Sequence, residues 1–91
     1  MASGGSMLFA PVRIGRLEVG NRVVMPPMGT NLADEGGFVT QRMRDYYGAR
    51  AEGGTGLIIV EGSCVDAVLA RATVRQVTLD HDRFLPGLRS L

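Results

Sequence analysis

The segment that decides the fold is residues 54–62, which read GTGLIIVEG. The four central residues, LIIV at 57–60, are apolar without alternation, and Gly56 and Gly62 bound them. A short, continuous apolar run between glycines is typical of a strand that is buried on both faces of a parallel sheet. We therefore expect a buried strand near residues 57–61.

A helix is predicted immediately before this strand, over residues 40–52. Its apolar side chains recur at helical spacing and form one stripe, made of Met43, Tyr46, Tyr47 and Ala51. Thr40 can cap the first turn, because a threonine hydroxyl accepts a hydrogen bond from an unpaired backbone N–H of that turn. Gly53 and Gly54 can supply the left-handed conformation that ends a helix.

Two β elements are expected upstream of this helix. Residues 8–20 alternate in polarity around Gly15 and Arg16, a pair that suits the two-residue type II′ turn of a hairpin. Residues 22–26 form a compact strand that the two prolines at 26 and 27 end. The order of strand, helix and buried strand indicates a βαβ unit.

The part of the chain after the buried strand is expected to be a loop followed by a second helix. Residues 65–72 have no regular apolar period and are interpreted as loop. Asp80 or Asp82 could cap a helix that runs through Phe84 and Leu88.

Composition narrows the class of protein. The chain has 91 residues, enough for one small domain, and its apolar content of 45% suits a globular fold. A net charge of +1, with ten scattered arginines and no lysine, gives no basic stripe for nucleic acid and no lysine for a Schiff base. Cys64 is the only cysteine, so an intrachain disulfide is excluded and a reducing, cytoplasmic location is expected.

Neither a membrane span nor a signal peptide is expected. No apolar stretch approaches the roughly 20 residues that cross a bilayer, so no membrane partner is predicted. Residues 1–6 read MASGGS and are interpreted as a flexible leader. Residues 7–91 are taken as the folded part.

Three blocks of the chain together resemble one enzyme family. They read LFAP at residues 8–11, GNRVVMPPMGTN at 20–31 and ARAEGGTGLIIVEG at 49–62. In order and spacing they resemble the old yellow enzyme family of NADH:flavin oxidoreductases. The sequence PPMGTN at residues 26–31, together with FVT at 38–40 and DYY at 45–47, is most similar to the 2,4-dienoyl-CoA reductase and 2-enoate reductase branch of this family.

The resemblance implies both a fold and a cofactor site. The fold would be α/β, with residues 7–91 forming the incomplete N-terminal portion of a TIM (β/α)8 barrel: the bottom hairpin and the first two βα units. The resemblance places Pro27, Met28 and Gly29 against the ring of FMN, and Gly62 in a second flavin contact. In such barrels active-site residues lie at the carboxyl ends of strands, and both segments follow strands.

The resemblance also implies a reaction. FMN would take hydride from NADH or NADPH and reduce an activated C=C bond of an enoate or enoyl thioester. An iron–sulfur cluster and FAD would belong only to regions outside this chain, and no catalytic residue is assigned within it. Some relatives have a cysteine or threonine where Gly29 stands, so Thr30 or Asn31 becomes a candidate for tuning the flavin potential.

Several side chains have competing interpretations. Glu61, at a strand end, could be a general base, but a buried carboxylate paired with an arginine or with backbone amides is favoured. Cys64 is interpreted as a small buried residue. His81 is interpreted as a solvated helix cap, and Tyr46 and Tyr47 as packing residues.

Two rival hypotheses remain open at this level. A full barrel needs about 250 residues, so the chain could be a catalytically inert fragment or an assembly piece whose partner is the remainder of the barrel or a homo-oligomer. Its two parallel strands would leave unpaired edges that favour aggregation. The other rival is a different FMN barrel, such as a dihydroorotate dehydrogenase-like enzyme. The hairpin before Asn21 and the PPMGT block argue against it.

Overall fold

The computed structural model describes residues 7–91. Residues 1–6, the predicted leader, lie outside the described residues. In chain order the elements are strands β1 (Val12–Ile14), β2 (Leu17–Val19) and β3 (Val24–Met25), helix α1 (Gln41–Glu52), strand β4 (Leu57–Ile58), a 3-10 turn (Asp82–Phe84) and helix α2 (Leu85–Ser90).

The hairpin is formed as predicted. β1 and β2 pair antiparallel with Val12 opposite Val19 and Ile14 opposite Leu17. Gly15 has φ +62°, whereas φ of the following residue, Arg16, is not positive. This matches a type II′ turn, in which only the first central residue needs positive φ.

The predicted βαβ unit is confirmed. β3 and β4 lie side by side and parallel, with Val24 opposite Leu57 and Met25 opposite Ile58. The N–H of Ile59 donates to the carbonyl of Met25 at 3.0 Å and extends the pairing beyond the assigned strands. The connection between the two strands is α1, as the crossover of a parallel pair requires.

α1 begins where the sequence predicts. The Thr40 hydroxyl accepts a hydrogen bond from the N–H of Met43 at 3.1 Å and donates to the carbonyl of Leu32 at 2.6 Å. The cap thus also ties the helix start to the preceding loop. Gly53 is helical, and Gly54, with φ +102°, supplies the left-handed residue after the helix.

The strand pair is shorter and more exposed than predicted. The expected strands 22–26 and 57–61 are regular only over two residues each. The prediction of a strand buried on both faces over residues 57–61 is wrong for this chain, because Leu57 and Ile58 are half-buried and Ile59 and Val60 are 44% and 37% exposed. β3 is the only strand paired with β4 among the described residues, so little covers the residues that follow it.

The second helix has a different cap from the one predicted. His81, rather than Asp80 or Asp82, caps the 3-10 turn: its Nδ1 accepts from the N–H of Arg83 at 3.0 Å. The interpretation of His81 as an exposed capping residue is therefore confirmed. Pro86 lies in the first turn of α2, where its missing N–H costs nothing.

The core packs one face of α1 against the loops that cover it. Its buried members are Ala33, Met43, Tyr47 and Val77. Ala51 was expected on the same stripe but is exposed, since the last turn of α1 extends past this cluster. None of the helices within residues 7–91 combines the length and the apolar character needed to cross a membrane.

Gly37 is the tightest backbone approach in this core. It has φ +89°, and its carbonyl accepts from the N–H of Thr78 at 2.9 Å. A Cβ built on Gly37 would lie 2.6 Å from Cβ of Thr78, whose side chain is fully buried. Only glycine fits there, because both the conformation and the contact exclude a side chain.

We predict that Gly37→Ala opens this contact. Left-handed strain and displacement of Thr78 should together cost about 2 kcal/mol or more. Amide hydrogen exchange at Thr78 should then be at least roughly 30-fold faster. Gly20→Ala is the matched control, since a Cβ there meets nothing within 4 Å. Equal exchange in both variants would contradict the assignment.

Candidate functional site

The carboxyl ends of β3 and β4 meet at one edge of the structure. Because the two strands are parallel, the segments that follow them, residues 26–30 and 59–62, leave the sheet at the same edge. These segments contain every residue for which the sequence predicts a flavin contact. The βαβ connection therefore brings together two parts of the chain that lie about 30 residues apart in sequence.

The four predicted contact residues are accessible. Pro27, Met28, Gly29 and Gly62 are all exposed, and the Met28 side chain is 51% exposed. A Cβ built on Gly29 would meet nothing within 4 Å, and one built on Gly62 would meet only Nε2 of Gln76, at 4.0 Å. That amide also donates to the carbonyl of Gly62 at 2.9 Å. The edge thus presents open backbone without charged side chains, a surface on which a flat ring can lie closely.

Glu61 is the buried polar residue of this edge. It is 3% exposed, and its Oε2 accepts hydrogen bonds from the hydroxyls of Thr30 at 2.7 Å and Tyr47 at 2.8 Å. The N–H of Thr30 approaches Oε1 at 3.4 Å. The expectation of an arginine partner is wrong, because the ion pair found in residues 7–91 joins Arg75 and Glu35. The expected backbone amide is that of Thr30, and its contact with Glu61 is longer than those of the two hydroxyls.

Tyr47 connects Glu61 to α1. Its hydroxyl donates to Glu61 and accepts from the backbone N–H of the same residue at 3.1 Å, while its ring packs in the core. The pKa of Tyr47 is raised from 10.0 to about 12, chiefly by burial and in the same direction by the hydrogen bond to the Glu61 carboxylate. Tyr47 is therefore a packing residue, as predicted, with a polar role that the sequence did not reveal.

The cluster of Thr30, Tyr47 and Glu61 is what sequence reasoning missed. Its members come from three segments, so no local motif contains it. One signal was available. A tyrosine on the buried stripe of a helix usually needs a hydrogen-bond partner, and a glutamate at the end of an apolar strand needs donors.

An open cleft of about 650 Å³ adjoins the same edge. It lies between residues 29–32 and the first turns of α1, where it is lined by Arg42, Asp45 and Tyr46. Its volume is within the range of small-molecule sites, roughly 300–1,000 Å³. The Tyr46 ring is held in place by the guanidinium of Arg50, 3.7 Å above its centroid.

The remaining candidates have structural roles. Cys64 is 1% exposed and its thiol donates to the carbonyl of Asp66 at 3.1 Å, which confirms it as a buried residue. The side-chain oxygen of Asn31, a residue of φ +58°, accepts from the N–H of Arg75 at 2.9 Å. Within residues 7–91, no three His, Cys, Asp or Glu side chains are grouped to hold a metal ion.

Comparison with known proteins identifies a family that this chain matches. A model of the NADH:flavin oxidoreductase / NADH oxidase family matches residues 7–91. An NADH oxidase of Thermoanaerobacter brockii is 51% identical over 84 residues, which are 92% of this chain and 13% of that protein. The chain therefore spans about an eighth of the length of this relative.

Solved structures show the same fold. A 2-naphthoyl-CoA reductase in complex with 2-naphthoyl-CoA superposes with a TM-score of 0.89 at 31% identity, over 93% of this chain and 13% of that one. An old yellow enzyme from Pichia sp. AKU4542 superposes with a TM-score of 0.83 at 27% identity, over 92% and 22%. The chain has the fold of the N-terminal portion of these (β/α)8 barrels: the bottom hairpin and the first two βα units.

The raised pKa of Tyr47 leads to a prediction for alkaline pH. The fold favours the neutral phenol, so its contribution to stability is complete below pH 10.0 and is lost as pH rises through about 12. We expect the ultraviolet tyrosinate signal of Tyr47 to appear near pH 12. The chain has two tyrosines, so subtracting the titration of Tyr47→Phe isolates this signal. A difference curve centred at 10.0 would contradict the burial of the phenol.

Proposed function

The chain belongs to the NADH:flavin oxidoreductase / NADH oxidase family, and we propose on that basis that it forms the first part of the flavin site of an FMN-dependent NAD(P)H oxidoreductase. The observation that carries the proposal is the contact of Thr30 with Glu61. Gly29 and Gly62 are the immediate neighbours of these two residues, so the contact brings both predicted flavin segments to one place.

The residues at this edge fit the ring of FMN. We propose that Pro27, Met28 and Gly29 lie against it through backbone atoms and that Gly62 makes a second contact. Three features support this: the four contact residues are exposed, the one charged side chain of the two segments, Glu61, is buried, and the space above both glycines is open. When bound, FMN would accept hydride from NADH or NADPH and pass it to a substrate.

We further propose that the substrate is an activated C=C bond in an enoate or an enoyl thioester. The likeness to a reductase crystallised with 2-naphthoyl-CoA supports the thioester, and the PPMGTN block supports the dienoyl-CoA and enoate reductase branch. Residues 7–91 would contribute to cofactor binding. Among residues 26–30 and 59–62 we assign no acid or base to catalysis. The carboxylate of Glu61 is buried and accepts hydrogen bonds from the hydroxyls of Thr30 and Tyr47.

An inert fragment or assembly piece remains the alternative function. The exposed apolar residues around the strand pair favour it, since Val24 is 47% and Ile59 is 44% exposed. Such side chains would need the remainder of a barrel, or another copy of the chain, to cover them. The two hypotheses differ in whether residues 27–29 and Gly62 contact FMN once the remainder of a barrel completes the site.

The first test concerns Gly62. The test needs a longer protein in which the remainder of the barrel follows this chain. In that protein, Gly62→Val should weaken FMN binding about 5- to 150-fold, because overpacking against the ring costs roughly 1–3 kcal/mol. Folding should be unaffected, since the described chain leaves room for the side chain. The measurement is a flavin-fluorescence titration. Gly20→Val is the control, and equal affinities would remove Gly62 from the site.

The second test concerns the isolated chain. Residues 7–91 alone should neither retain FMN nor oxidise NADH in the presence of a conjugated enoyl thioester. A few backbone contacts cannot offset the several kcal/mol or more that immobilising a cofactor costs. Stoichiometric flavin in the purified chain, with turnover that depends on the thioester, would instead show that the chain assembles a working site by itself.

A further inference from the structure

We propose that Glu61 is a positioning residue that holds the two flavin-contact segments at one fixed separation. The inference rests on the proposed function, because it concerns how residues 27–29 and Gly62 meet the same ring. Glu61 does not touch the ring in this proposal. It acts through the residues that it binds.

The contacts of Glu61 join three elements. Thr30 belongs to the segment after β3, Tyr47 to α1, and Glu61 itself to the segment after β4. Both hydroxyls donate to Oε2, at 2.7 and 2.8 Å, which are the lengths of strong hydrogen bonds to a carboxylate. The β3–β4 ladder is two residues long, so these bonds are the main polar link between the two segments beyond the strands.

Burial makes this link obligatory. With 3% of its surface exposed, the Glu61 carboxylate has little access to water and must obtain its hydrogen bonds from the protein. A buried acceptor that loses a donor pays the desolvation cost of the group, so the arrangement with both hydroxyls in place is strongly preferred. The segments that carry Thr30 and Glu61 are therefore restricted to one relative position.

The geometry transmits this restriction to the predicted flavin contacts. Gly29 is one peptide unit from Thr30, and Gly62 is one peptide unit from Glu61, a Cα distance of about 3.8 Å in each case. A shift of Thr30 relative to Glu61 must therefore move Gly29 relative to Gly62. The same burial argues against a general base, because the Glu61 carboxylate is 3% exposed and does not reach the open edge.

The test substitutes Thr30 in a longer protein in which the remainder of the barrel follows this chain. Thr30→Val keeps the shape of the side chain but removes the donor, while Thr30→Ser keeps the donor. Thr55→Val is the matched control, since Thr55 precedes β4 at the end of the strand opposite Gly62. The readouts are the FMN dissociation constant, the visible absorption of bound flavin, and hydrogen exchange of the flavin-free protein at the Glu61 amide.

We expect Thr30→Val to weaken FMN binding about tenfold or more, the effect of one lost hydrogen bond to a buried charged group. The flavin absorption should shift, and exchange at the Glu61 amide should accelerate. Thr30→Ser should restore all three, and Thr55→Val should match the unmodified protein. Glu61→Gln should have a smaller effect than Thr30→Val, because its carbonyl oxygen can still accept from both hydroxyls and only the 3.4 Å contact with the Thr30 N–H is lost.

The outcomes separate the two proposals. If the unmodified protein binds FMN and Thr30→Val binds it equally well with an unshifted spectrum, the positioning role is overturned and the proposed function stands. If Thr30→Ser fails to restore binding, the hydroxyl is not the link and the inference is likewise overturned. A complete barrel that binds no FMN would overturn the proposed function, and the positioning role with it.

Discussion

The structure depends on the satisfaction of one buried carboxylate. Glu61 lies where the strand pair ends, and burying its charge is tolerable only because Thr30 and Tyr47 donate to it. Each donor comes from a different element, so meeting this one requirement sets the segment after β3, helix α1 and the segment after β4 against each other. Two strands of two paired residues each would hold these elements far less firmly.

The same requirement separates a packed interior from an open edge. On one side, Tyr47 continues into the apolar core with Met43 and Val77, and the Gly37–Thr78 contact closes that core. On the other side, Gly29 and Gly62 have almost no neighbours. Rigid support directly beneath open backbone is the arrangement that a cofactor site needs, because the support is independent of whatever lies on the surface.

The four candidate flavin contacts come from the family resemblance, and the structure adds that they are exposed at one edge. Pro27, Gly29 and Gly62 are exposed, and the two prolines at 26 and 27 end the strand before the first of these segments. The predicted partners of Glu61, an arginine or backbone amides, were right only for the amide of Thr30, and the two hydroxyl donors to Glu61 were not predicted. Its donors are 31 and 14 residues away, and nothing near Glu61 in the sequence distinguishes a distant hydroxyl from a distant arginine.

By itself the sequence determined the hairpin, the capped helix, the parallel pair and the family. The first three follow from turn chemistry at Gly15, capping at Thr40 and the apolar period of short segments, signals that act between near neighbours. The family follows from the resemblance of three separate blocks. Only the tertiary structure decided which side chains meet. The cluster around Glu61 and the exposure of Ile59 and Val60 depend on how separate segments pack. Hydrophobic burial is not directional, so the sequence alone does not fix which distant side chains meet.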